Sequence, residues 1–199
     1  MSRQTSLNAN DIILKCMNKY WEKGINSFSF NSIIYYSGVS KPTMYRLVGD
    51  EVTLKNKSLK LYYEKNLKQS HFNIENATSL FDFISQILNK IQKKKDGIAS
   101  FDKGLCYFQK TRIVKHTLDK EIKYTLNNMD KGFIKSYKIL INNLKAKNYM
   151  LKSVNTEFLA QFVYNSVTFF VNMVQNSSSK TEINNIKQSI LNTIKIYIK

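Results

Sequence analysis

Apolar residues recur at intervals of three and four along most of this chain, the spacing of one buried face of an α-helix. One face of the first such stretch carries Ile13, Cys16, Met17, Tyr20 and Trp21. Asn10 or Asp11 is predicted to cap its start, and Gly24 to end it. Cys16 lies on the apolar face and is therefore predicted to be a small core residue.

The same periodicity continues to the end of the chain. It predicts longer helices over 51–70, 78–94, 112–147, 155–176 and 180–198, and short helices in FNSIIYYS, KPTMYRL and FDKGLCYFQK. Only six glycines and one proline interrupt 199 residues, so few turns are available for strands. The sequence therefore predicts an all-α fold of about nine helices. Residues 1–50 are predicted to form an N-terminal three-helix module, joined by a connecting helix at 51–70 to a larger helical bundle at 71–199.

The segment GVSKPTMYRL, residues 38–47, contains the only proline. Gly38 suits the left-handed position that ends a helix, and Ser40 is the best candidate for the N-cap of the next one. Pro42 would be the second residue of that next helix, where its missing N–H leaves no intrahelical bond unmade. Two short helices around such a turn are typical of a helix-turn-helix motif. The alternative is that Pro42 only stiffens a turn before a core helix.

The side chains at the start of this second helix suit DNA. A recognition helix enters the major groove by its N-terminal end, which also attracts phosphate. Lys41 and Arg46 supply cationic contacts, and Thr43 suits a base edge or a thymine methyl group. Tyr45 suits a backbone phosphate. The cluster therefore indicates a DNA-binding surface.

The same residues resemble the DNA-binding module of the TetR family of bacterial repressors. The resemblance is carried by Ser29, Ile33, Ile34, Ser37 and Gly38, followed by VSKPTMYRL, and covers about residues 8–60. The rest of the chain matches the family only in length and helical layout. The resemblance implies a homodimeric repressor of a palindromic double-stranded operator, released by a small-molecule effector. The first 50 residues would then be the DNA-binding domain, and 71–199 the ligand-binding and dimerisation domain.

Carried over by position, the resemblance implies two sets of contacts. Base edges would be contacted by Lys41, Pro42 and Thr43, and phosphates would be held by Ser29, Ser40 and Tyr45. The chain departs from the family pattern just downstream, in two places. Leu47 and Val48 stand where the family often has His-Phe, and Glu51 stands where it commonly has a phosphate-binding lysine. Lys55 or Lys57, on the next turn, would replace that lysine.

The second half of the chain is predicted to form the dimer through its last two helices. The predicted interface residues are Leu159, Val163, Val167, Phe170, Val174, Ile183, Ile186, Ile190 and Ile194. A cavity for a small apolar or aromatic effector would be lined by Phe101, Cys106, Tyr107, Phe108, Tyr124, Phe133, Tyr137, Phe158, Phe162 and Tyr164. Aromatic residues at helical spacing are more often plain core, and a buried central helix in a monomer is the alternative to the dimer.

The charge of the chain indicates an anionic partner without locating it. The formal net charge is +17, from 31 basic and 14 acidic residues. Lysines outnumber arginines 28 to 3, a bias typical of AT-rich genomes, and the excess is spread along the chain. The sequence therefore establishes a basic protein but does not establish a localised basic patch.

Other function classes find little support in the sequence. His71 and His116 are the only histidines, and no metal-ligand spacing, glycine-rich phosphate loop or nucleophile elbow is present. No enzyme activity, cofactor or metal is therefore predicted. Two distant cysteines and a polar N-terminal stretch favour a cytoplasmic protein. The alternatives left open are a basic helical protein that binds membrane surfaces or a protein partner, and an activator of the same fold.

Overall fold

The computed structural model describes residues 8–68, 74, 77–96, 106–176 and 179–199. Within these residues the all-α prediction is confirmed. The nine α-helices found there are α1 Ala9–Lys23, α2 Phe30–Ser37, α3 Lys41–Val48, α4 Glu51–Tyr62, α5 Leu80–Asp96, α6 Tyr107–Ile113, α7 Lys120–Ala146, α8 Thr156–Gln175 and α9 Lys180–Lys195. Helix α4 runs on into a π-helical turn, Tyr63–Leu67, and a 3₁₀ turn occupies Lys115–Thr117. None of the helices in the described part of the chain combines the length and the apolar character needed to cross a membrane.

The helix boundaries differ from the prediction in two places. Helix α1 is capped by Asn8, whose side chain accepts the Asp11 N–H at 2.9 Å, so neither Asn10 nor Asp11 is the cap. The single helix predicted over 112–147 is interrupted between α6 and α7. There the Thr117 hydroxyl donates to the Val114 carbonyl at 2.8 Å, and Leu118 is extended. A side chain that satisfies a backbone carbonyl in this way competes with helix continuation.

The first compact unit comprises Met1–Leu67 and Cys106–Leu126. In it α1 packs against α3, α4 and α6, and α4 also contacts α6. The fully buried side chains at its centre include Ile12, Tyr20, Met44, Leu54 and Leu59. Cys16 is buried among them, as predicted, and burial raises the pKa of its thiol to about 11.

Polar contacts also bind α6 into this first unit. The hydroxyls of Ser58 and Tyr107 lie 3.1 Å apart in the interior, and the Lys110 ammonium donates to the Trp21 carbonyl at the end of α1 at 2.7 Å. Because of these contacts, Cys106–Leu126 packs with the N-terminal helices. The predicted division had placed this segment in the region 71–199.

The second unit comprises Lys68–Leu105 and Asn127–Lys199. Helices α5, α8 and α9 pack against one another, and most of α7 also belongs to this unit. Its fully buried residues include Leu88, Leu140, Leu159, Val163 and Phe170. Two helix starts are fixed by side chains. Asn155 caps α8, and Ser179 forms a capping box with Glu182 at the start of α9.

Candidate nucleic-acid interface

The turn between α2 and α3 has the geometry that the sequence predicts. Gly38 ends α2 in the left-handed conformation, with φ 69° and ψ 13°. Ser40 caps α3, and its hydroxyl accepts the Thr43 N–H at 3.4 Å. Pro42 is the second residue of α3, where no intrahelical N–H bond is lost. The predicted cap Ser40 and the predicted role of Gly38 are confirmed.

Helix α3 has one buried face and one exposed face. Met44 and Val48, one turn apart, are completely buried against the first unit. Lys41, Pro42 and Arg46 are exposed. The face available to a partner is therefore the polar one, and it runs from Lys41 at the N-terminal end to Arg46 in the last turn.

Thr43 and Tyr45 are each partly engaged within the module. The Thr43 hydroxyl accepts a hydrogen bond from the Ser40 hydroxyl at 2.9 Å, and the residue is half-buried. The Tyr45 ring packs edge-on against Phe30, with ring centres 5.0 Å apart, while 47% of the residue remains exposed. Both side chains are therefore held in place by neighbours and still reach the surface of α3.

Lys55, which was predicted as a candidate phosphate contact, is paired with a carboxylate of its own helix. Its side chain is only 10% exposed, and its ammonium lies 2.7 Å from a carboxylate oxygen of Glu51. The two residues are one helical turn apart on α4, so the pair forms along the helix. The ammonium of Lys55 is therefore paired with Glu51, and this lysine does not present a free ammonium to a phosphate.

Lys57 is exposed but also has an internal partner. Its ammonium donates to the carbonyl of Val48, the last residue of α3, at 3.0 Å. A cation at this place satisfies an unpaired carbonyl and suits the negative end of the helix dipole. Lys57 therefore stabilises the end of α3, a role that spacing alone did not reveal.

The start of α2, the start of α4 and helix α3 border one cleft of about 370 Å³. Its lining residues are Ser29, Phe30, Asn31, Lys41, Tyr45, Asp50, Glu51 and Val52. Ser29 caps α2 through the Ser32 N–H at 3.2 Å, and Asp50 caps α4 through the Thr53 N–H at 2.8 Å. The structure thus brings Ser29, Lys41 and Tyr45 together at one cleft. Asn31 also lines this cleft. It was not among the predicted residues, although its place two residues after a cap was a usable signal.

The predicted dimer face differs from what the structure shows. Seven of the nine residues are buried inside the chain itself: Leu159, Val163, Phe170, Val174, Ile183, Ile190 and Ile194. Only Val167 and Ile186 are partly accessible. These seven side chains fill the core of their own unit, in which α5, α8 and α9 pack against one another. The exposed apolar face of α8 is a different one, with Phe158 56% and Phe169 51% exposed.

The predicted effector-lining residues that the structure describes are divided between the two units. Cys106, Tyr107, Phe108 and Tyr124 belong to the first unit, and the others described belong to the second. Tyr107, Phe108, Phe133, Tyr137 and Tyr164 are buried in their own units, whereas Tyr124 is 68% exposed. The Phe133 and Tyr164 rings stack with centres 6.0 Å apart, and the Tyr164 hydroxyl donates to Asp130. Phe101 lies outside the described residues.

One shallow groove on α8 includes two of the predicted effector-lining residues. It is lined by Phe158, Gln161, Phe162, Asn165, Ser166 and Phe169. The rings of Phe158 and Phe162 stack along it, with centres 6.4 Å apart. These residues are successive positions on one side of a single helix, so the groove is a surface feature of α8.

Comparison of the sequence with known proteins gives no match. No protein-family model matches the chain, and no curated protein matches it.

Comparison of the fold gives consistent matches. The chain is similar to a TetR-family transcriptional regulator from Cytophaga hutchinsonii, with a TM-score of 0.79 and 10% identity over 96% of this chain and 94% of that one. It is also similar to a cysteine mutant of the TetR-family regulator CifR in complex with double-strand operator DNA, with a TM-score of 0.78 and 14% identity over 96% and 98% of the two chains. A TetR regulator from Chloroflexus aurantiacus gives 0.77 at 12% identity over 96% and 95%. The chain therefore has the fold of the TetR-family transcriptional regulators.

Proposed function

We propose that this protein is a DNA-binding transcriptional regulator of the TetR family. The observation that carries the proposal is helix α3, which exposes Lys41, Pro42 and Arg46 on the face opposite its buried Met44 and Val48. A capped N-terminal end with an exposed lysine is the form in which a recognition helix enters the major groove. Arg46 adds a second exposed cation in the last turn of α3. The operator DNA bound to the CifR structure supports the same role for this fold.

The side chains of the module divide into two kinds of contact. Lys41, Pro42 and Thr43 lead the helix and are proposed to contact base edges. Ser29, Ser40, Tyr45 and Arg46 are proposed to hold phosphates and so fix the register on the duplex. The net charge of +17 adds a sequence-independent attraction to DNA.

A homodimer is proposed because one short recognition helix reaches few base pairs. Two copies related by two-fold symmetry would read half-sites about 34 Å apart, one turn of DNA. The exposed aromatic groove of α8, with Phe158 and Phe169 at its two ends, is the proposed contact between the copies. Exposed aromatic side chains grouped on one side of a helix suit a protein interface.

Repression and release by an effector complete the proposal. A small apolar or aromatic ligand would bind better to a form whose two recognition helices are wrongly spaced for DNA. By linkage, ligand and operator would then weaken each other's binding to the same extent. Operator affinity that did not respond to any ligand bound by the protein would contradict this part.

The DNA-binding proposal is tested by fluorescence anisotropy with a labelled duplex over a range of salt concentrations. The wild type is expected to bind, with affinity falling steeply as salt rises. Lys41→Ala with Arg46→Ala should weaken binding strongly, whereas Lys152→Ala with Lys180→Ala, the same charge change in the second unit, should have a smaller effect. Liposome binding in the absence of duplex binding would contradict the proposal and favour a membrane-surface protein.

A further inference from the structure

Glu51 occupies an anion position that lies inside the proposed DNA interface. One oxygen of its carboxylate accepts the backbone N–H of Phe30, the first residue of α2, at 3.1 Å. The other lies 2.7 Å from the Lys55 ammonium. The first N–H groups of a helix have no partner within the helix and point toward the place where a phosphate would bind. That place is therefore already filled by a carboxylate of the same chain.

The cleft around Glu51 carries further negative charge. Asp50 lines the same cleft and is held at the start of α4 by the Thr53 N–H. Lys41 is the one lysine among the cleft residues, since Lys55 is nearly buried behind Glu51. The side chain of Glu51 itself remains 37% exposed. A phosphate that approached this cleft would meet two carboxylates and one accessible ammonium.

We infer that Glu51 is a negative determinant of DNA binding, which keeps phosphate away from the first backbone N–H of α2. This inference rests on the proposed function, because it concerns the same interface. The carboxylate weakens every complex that places a phosphate at this N–H. The contacts that remain favourable are those of the exposed face of α3, which read bases as well as phosphates.

Such a residue has a clear use in this chain. A protein with a net charge of +17 binds any duplex through its general positive field, whatever the sequence. Specificity is a difference between affinities, and it rises when the unwanted complex is weakened. Glu51 weakens backbone-only binding at the start of α2, and so leaves more of the total affinity to base contacts.

The test compares four forms of the full chain by fluorescence anisotropy with a duplex of arbitrary mixed sequence. They are the wild type, Glu51→Gln, Glu22→Gln, and Glu51→Gln combined with Lys55→Gln. Glutamine keeps an oxygen that can accept the Phe30 N–H, so the first change removes mainly the charge. Glu22 is the matched control, because it also pairs with a lysine, Lys19, at 3.5 Å, but lies on α1 outside the cleft.

Glu51→Gln is expected to bind the mixed-sequence duplex about fivefold more tightly, and the slope of log K against log salt should steepen by about 0.9, which is one phosphate. Glu22→Gln should change affinity less than about twofold, because its charge lies outside the interface. Equal effects of the two changes would overturn the inference and leave the proposed function intact. Weaker binding by a folded Glu51→Gln protein would overturn it as well.

The double variant covers the case in which Glu51→Gln unfolds the module. Removing Glu51 alone leaves Lys55 nearly buried without its partner, which is costly. Glu51→Gln with Lys55→Gln removes both charges and keeps the formal net charge of the chain unchanged. It is expected to bind about twofold more tightly than the wild type, and binding equal to or weaker than the wild type would contradict the inference. If none of the four forms binds duplex DNA, the proposed function fails first and the inference fails with it.

Discussion

The ammonium of Lys57 on α4 donates to the backbone carbonyl of Val48, the last residue of α3, at 3.0 Å. The bond joins α4 to the end of α3. It satisfies a carbonyl that has no partner within α3 and places a cation at the negative end of that helix. The orientation of α3 therefore depends partly on a residue of α4.

Replacing Lys57 by methionine should weaken the first unit. Methionine keeps most of the aliphatic stem and removes the ammonium, so the loss is that of one charged hydrogen bond, about 0.5–1.5 kcal/mol. Urea denaturation of the full chain measures it. Lys60→Met, an exposed lysine on the same helix, is the control and should change the free energy of unfolding by less than about 0.5 kcal/mol. Equal losses in the two variants would show that the bond to Val48 does not stabilise α3.

The cap at the start of α4 should make stability depend on pH. Hydrogen bonds from the side chain and backbone of Thr53 hold the pKa of Asp50 below its ordinary value. A carboxyl group whose pKa is lower in the folded state stabilises the fold above the unfolded pKa, and this contribution is lost as pH falls through the folded pKa. Asp50→Asn keeps a good cap without the charge. Denaturation at pH 7 and pH 3 should therefore show a larger acid loss in the wild type than in Asp50→Asn. An identical pH dependence in both proteins would contradict this assignment.

Gly49 should not tolerate a side chain. Its φ of 87° and ψ of −157° are rarely adopted by other residues, and an added Cβ would lie 2.9 Å from Thr53 Cγ2. Gly49→Ala should cost about 1–3 kcal/mol. Gly132→Ala is the control, because Gly132 lies within α7 with nothing within 4 Å of the added carbon, and it should raise stability by about 0.5–1 kcal/mol. Thermal unfolding of both variants measures these changes. A Gly49→Ala protein as stable as the wild type would contradict the account.

The local structure of the module was predictable because turns and helix caps depend on residues that are close together in the sequence. Gly38, Ser40 and Asp50 each act through bonds to residues within three positions, so spacing alone identified them. The roles of Lys55 and Lys57 were not predictable in the same way. Whether a lysine meets solvent, a carboxylate or a carbonyl depends on which neighbouring helix lies beside it, and only tertiary packing decides that.

In the second half of the chain, too, the sequence did not predict which residues are buried by tertiary packing. Helix α8 carries apolar residues on more than one face, and the sequence did not show which face fills its own core. The structure buries Leu159 and Val163 and exposes Phe158 and Phe169. Periodicity identifies faces, but it does not assign each face to a partner.

The exposed face of α8 should control assembly. Phe158→Ser with Phe169→Ser is expected to shift the protein from dimer to monomer in size-exclusion chromatography with light scattering, because the apolar surface between the copies is lost. Tyr149→Ser is the control, since Tyr149 is also 51% exposed but lies outside α8. An unchanged dimer in the double variant would place the contact elsewhere.

Selection of binding sites from a random-sequence duplex library tests the central claim most directly. The wild type is expected to enrich an inverted repeat whose half-sites lie about one turn of DNA apart. Lys41→Ala should change the preferred bases within each half-site, at a cost of about 1–3 kcal/mol per lost contact. Tyr45→Phe should lower affinity for all sequences and leave the motif unchanged. If the wild type enriches no motif while binding duplexes of every sequence equally, α3 is not a recognition helix and the account is wrong.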